Sequence, residues 1–125
     1  MTLAARLLFR LAGATSALAL FGGLAAIADE ALSGDGLRAL LVGNTVQGTM
    51  ETSGSYAEFY RPDGTIKAAT YTGSWSIEDD AFCTQYGADP KECWKAAKEG
   101  AEIHWLKDGK VDGTGTIMPG NPNNY

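Results

Sequence analysis

His104 is the only histidine of this 125-residue chain. General acid–base or metal work at His104 would need a suitably spaced partner, and the sequence places none beside it. It alternates with Ile103 and Trp105 and is expected to face away from them, as a surface or pocket side chain. Thr70, Ser74 and Ser76 offer hydroxyls, but no histidine and carboxylate accompany them in a recognisable triad. Glu78, Asp79 and Asp80 stand together either as a cation site or as solvated acids at a strand reversal, and the second is expected. Asp108 to Gly115, DGKVDGTG, resembles a calcium loop, yet Lys110 and Pro119 occupy positions where carboxylates belong. Gly113 to Gly120, GTGTIMPG, lacks the spacing, the lysine and the following helix of a phosphate loop. No catalytic, cofactor-binding or metal-binding residue is therefore assigned, and no cofactor is expected.

Cys83 and Cys93 are the only cysteines. In an oxidising compartment they are expected to form a structural disulfide between paired strands. A redox-active pair is the alternative, without the C-x-x-C spacing that usually marks one.

These residues must be carried by strands. Ser55 to Tyr86 reads as four short strands joined by tight turns. In RPDGT, Pro62 presets the turn, Asp63 tolerates its next position and Gly64 supplies a left-handed residue. Ala57, Phe59, Ile66 and Ala68 are expected on one face, and Glu58, Tyr60, Lys67 and Tyr71 on the other. Trp75 and Ile77 continue the inward face, with Ser74, Ser76 and Glu78 outward. Strands are also expected over Asn44 to Glu51, Glu92 to Lys98, Ala101 to Leu106 and Val111 to Met118, with a D-G hairpin turn at Asp108-Gly109. The expected core is Phe59, Ile66, Trp75, Ile77 and Trp105, joined by Trp94. The fold expected is mainly β, an antiparallel meander of about eight short strands forming a small barrel or curled sheet. An outer-membrane barrel is excluded, because spanning strands need about 9 to 11 residues and an outward apolar band.

One short helix is expected near residues 35–42, with Leu37, Leu40 and Leu41 on one side, Ser33 or Asp35 as cap and Gly43 at its end. At about two turns it is not stable alone, so it should cover one end of the barrel. Before it, residues 1–28 carry Arg6, Arg10, an apolar run and Ala26-Ile27-Ala28, the pattern of a cleaved secretory signal. A membrane anchor is the rival reading, opposed by the small residues and the cleavage site. No twin-arginine pair and no cysteine after the apolar run point to special export or lipidation. Residues 29–125 are then one domain, periplasmic or secreted, without stable membrane insertion. Removing Arg6 and Arg10 changes the net charge from −5 to −7, which disfavours nucleic acid and anionic membranes as partners.

GNTVQG, FYRPDGTI, GSWSI, the C…CW pair and GTGTIMPGNP together resemble small exported proteobacterial proteins described as domains of unknown function. The architecture is similar to small periplasmic inhibitor-type barrels and, more loosely, to lipocalin-like ones. Those motifs are turns and core aromatics, so the resemblance implies a fold rather than a reaction.

The function expected is a non-enzymatic binding or accessory protein that contacts another exported protein, as an inhibitor or a small subunit. An outward set of tyrosines, Tyr56, Tyr60 and Tyr71, with Tyr125 in the 119–125 tail, would supply the interface. The plainer alternative is that these tyrosines only line a sheet face. A lipocalin-like barrel binding a small ligand is the second class, and an enzyme the third. A cavity inside the barrel, as opposed to packed tryptophans, distinguishes the first two.

Overall fold

Each tight turn of the chain closes an antiparallel hairpin, and eight such strands in succession leave no edge. In the computed structural model, which describes residues 30–125, the order is α1 (Gly34–Leu41), β1 (Thr45–Met50), β2 (Gly54–Tyr60), β3 (Thr65–Lys67), β4 (Thr72–Glu78), β5 (Ala81–Gln85), β6 (Glu92–Glu99), β7 (Glu102–Lys107) and β8 (Lys110–Met118). Neighbours in sequence pair throughout, and β1 also pairs with β8, so the sheet is a closed barrel. The leader expected over residues 1–28 lies outside the described residues.

The RPDG turn forms as its residues demand. Gly64 has φ 90°, its N–H donates to the Arg61 carbonyl, and the Thr65 N–H donates to the Asp63 carboxylate at 2.9 Å. The register it sets corrects the expected faces. Tyr60 lies opposite Ile66 and Phe59 opposite Lys67. The face that takes Ile66 must therefore take Tyr60, and with it Glu58 and Tyr56, because side chains alternate at period two. Glu58 and Tyr60 point into the barrel, and Phe59 lies half-buried on the outer face, outside the core cluster.

The helix fills one end. Ser33 caps it, its hydroxyl accepting from the Gly36 N–H at 3.1 Å. Leu37 and Leu41 are fully buried against the core, with Leu40 partly so. Beneath them Val46, Ile66 and Ile103 fill the barrel. Next comes an aromatic layer built round Phe82, whose ring lies 4.9 Å from Tyr60, 5.9 Å from Trp75 and 5.5 Å from Trp105. Ile77 is partly buried against this core.

Asp79 and Asp80 form the β4–β5 turn with φ 48° and 59°, both left-handed, as the tightest hairpins require. The Asp80 carboxylate accepts the Gly34 N–H at 2.6 Å, a second cap for a helix too short to hold itself. Asp80→Ala should therefore cost about 1 kcal/mol, as lost caps do, while Asp80→Asn recovers part of it. A urea midpoint that does not move for Asp80→Ala would contradict this role.

Cys83 and Cys93 are directly opposed across β5 and β6 and are bonded. They lie on the outer face, since Phe82 and Thr84 on either side of Cys83 are interior. Glu78 beside them pairs with Lys91 at 2.8 Å. The tail is held on its own barrel. The Thr45 hydroxyl donates to the Gly120 carbonyl at 2.7 Å, the Gly120 N–H donates to Asn44 at 3.0 Å, and Asn121 and Tyr125 bond reciprocally.

Candidate functional site

The packed half stops at the aromatic layer. Beyond Tyr60, Phe82 and Trp105, away from the helix, the barrel holds a cavity of about 620 Å³ that opens to solvent. Its mouth is formed by the β1–β2 turn at Thr52 and Ser53, by Tyr71 ahead of β4, and by Asp89 and Pro90 between β5 and β6. β3 is only three residues long and pairs with just Phe59 and Tyr60 of β2, so beyond them β2 has no strand partner on its β3 side, and Tyr71, in the loop between β3 and β4, is 42% exposed.

Glu58, expected on the outer face with Tyr60, stands in the wall of this cavity. It is only 5% exposed. One carboxylate oxygen, Oε1, accepts from the Tyr60 hydroxyl at 3.1 Å. The other, Oε2, accepts from Tyr71 at 2.8 Å and Tyr86 at 2.7 Å. Tyr71 and Tyr86 also meet edge to face, their rings 5.7 Å apart. Gly73 makes this possible, because a Cβ there would stand 2.6 Å from the Tyr86 ring.

Tyr56 belongs to the same wall. Its hydroxyl accepts from the Trp105 indole N–H at 2.8 Å and donates to the Thr114 carbonyl at 3.1 Å. It lies against Gly115 of β8, where a Cβ would meet the Tyr56 oxygen at 2.5 Å and Val46 at 2.6 Å. Gly113 and Gly115 of GTGTIMPG thus leave room for Met50, Tyr56 and Val46. Near the rim the Trp94 indole N–H donates to Asp112 at 2.9 Å.

Burial and the Glu58 charge hold these phenols neutral. Desolvation raises the Tyr56 pKa from 10.0 to about 12, opposed in part by the Trp105 bond, with Glu58 adding a smaller push. Desolvation first and the Glu58 charge second raise Tyr60, Tyr71 and Tyr86 as well. A phenol raised above its unfolded value resists deprotonation in the fold. Its contribution to stability is complete below pH 10 and is lost as pH climbs through 10 toward the folded value. Phenolate absorbance of the native protein should therefore show these four rings silent at pH 10 and appearing only as the barrel unfolds at higher pH. Normal titration of all of them near pH 10 would mean that the rings are solvated.

The structure brings three of the four proposed interface tyrosines together at the cavity, two of them inside the barrel. Tyr56 and Tyr60 are interior and Tyr71 stands at the mouth, while Tyr125 lies on an outer hollow that Tyr71 and Tyr56 also line, with Gln47 and Met118. Trp75, Ile66 and Trp105 lie in the packed core. His104 is outward, 3.0 Å from Glu102. Tyr86, Phe82 and Glu58 went unassigned from sequence. The period-two spacing of Tyr56, Glu58 and Tyr60 was the signal that could have found the last. No protein family, curated protein or solved structure matches the chain.

Proposed function

We propose that this protein binds a small molecule in the open half of its barrel. The observation that carries the proposal is the aromatic cavity of about 620 Å³ with the Glu58 carboxylate set in its wall. Ligand sites run from about 300 to 1,000 Å³, mostly apolar with a few converging polar groups. Helix and leucines seal one end, and the other stays open, the arrangement of a lipocalin-like carrier. Of the tyrosines expected to serve an accessory-protein interface, Tyr56 and Tyr60 line the cavity, which supports the ligand reading over that one, while Tyr71 and Tyr125 share an outer hollow. Activity outside the cytoplasm is part of the proposal, supported by the Cys83–Cys93 disulfide and the expected leader. Among the described residues no helix is long and apolar enough to cross a membrane.

Native mass spectrometry of protein isolated from its own host should show a monomer with a small added mass that disappears on denaturation. A bare monomer that also fails to take up N-phenylnaphthylamine, a neutral apolar fluorophore, would sink the proposal. A stoichiometric complex with another protein would restore the accessory reading.

A further inference from the structure

We propose that the ligand is an organic cation, an ammonium head carried on an apolar body, with the head received at Glu58; this rests on the ligand-binding reading above. Buried charges in proteins are ordinarily paired with an opposite charge or a metal. Glu58 has neither among the described residues: its partners are the hydroxyls of Tyr60, Tyr71 and Tyr86. A carboxylate accepts about four hydrogen bonds. Three are used, with Oε1 taking one and Oε2 two, so acceptor capacity remains on Oε1.

The surroundings select the sign of the guest. Glu58, Asp89 and Glu92 line the cavity, and among the described residues no basic side chain does. Of the basic groups near the mouth, Lys107 is engaged by Glu92 at 3.8 Å and by the Trp94 ring at 4.7 Å, and Lys91 pairs with Glu78 at 2.8 Å. An anion would meet uncompensated negative charge. A neutral alcohol would gain one hydrogen bond at Glu58, whereas an ammonium gains that bond with charge assistance. Tyr56, Trp94 and Trp105 line the same cavity and offer an apolar wall for the body of the guest. The tyrosines also keep Glu58 from needing an internal lysine or arginine, so the charge stays available.

The test uses three probes of one skeleton, namely phenethylamine, phenethyl alcohol and phenylacetate, each displacing N-phenylnaphthylamine from the wild-type protein at neutral pH. The amine should displace at a concentration about tenfold lower than the alcohol, with the acid weakest. Glu58→Gln keeps the shape and an acceptor, and should bring amine and alcohol to within about twofold. Equal displacement by amine and alcohol in the wild type overturns the cation inference without any variant, and so does a preference that survives Glu58→Gln in a folded protein. In either case N-phenylnaphthylamine uptake leaves the ligand pocket standing. If the wild type takes up neither the fluorophore nor the amine, both readings fall.

Discussion

Phe82→Ala should remove about 3 to 5 kcal/mol of folding stability. The ring is 1% exposed and touches Tyr60, Trp75 and Trp105, so its loss leaves a void that three rigid aromatic rings cannot close. Phe82 is also floor to the cavity, and the void would join the open half to the packed half. Domains of this size are stable by only about 5 to 15 kcal/mol. The variant should therefore unfold at far lower urea than the wild type, with a more shallow transition if water enters the barrel. A loss below about 1 kcal/mol would show that the aromatic layer is loosely packed and that the core lies closer to the helix.

Opening the Cys83–Cys93 bond should cost about 3 kcal/mol, by restoring freedom to the unfolded chain. The cysteines are 10 positions apart and directly opposed across β5 and β6. Urea midpoints with and without reductant, or for the double Cys→Ser variant, measure the cost. Thiol titration of the denatured, unreduced protein should find none free. Because the bond lies on the outer face, uptake of N-phenylnaphthylamine should persist at urea concentrations where the reduced protein remains folded. Loss of uptake under those conditions would mean that the β5–β6 ribbon must be clamped for the cavity to exist. A midpoint shift under about 1 kcal/mol would mean that the hairpin already keeps the two ends close in the unfolded chain.

The strand count, the RPDG and D-G turns, the disulfide and the short leucine helix were all legible in the sequence, because each rests on local chemistry. Proline and glycine presets, a cap and leucines at helical spacing need no distant partner to be read. The helix came out at Gly34–Leu41 against an expected 35–42. The face of β2 was not legible from its own residues. In Tyr56 to Tyr60, YAEFY, both faces carry an aromatic ring, and hydrophobicity alone favours hiding Phe59 over Glu58. The register across the RPDG loop decides the matter by placing Tyr60 opposite Ile66.

From its sequence alone this protein was determined to be a small, acidic, disulfide-braced β meander with one helix to cover an end. Only the tertiary structure decided that the barrel is filled at one end and hollow at the other, with a carboxylate held among tyrosines in the hollow. The reason is that the hollow is made by residues far apart in the chain. Tyr71 and Tyr86 reach Glu58 across 13 and 28 positions, and Gly115 makes room for Tyr56 from the far side of the closure. Whether a buried carboxylate is tolerable depends on those donors arriving together, which no single strand can announce.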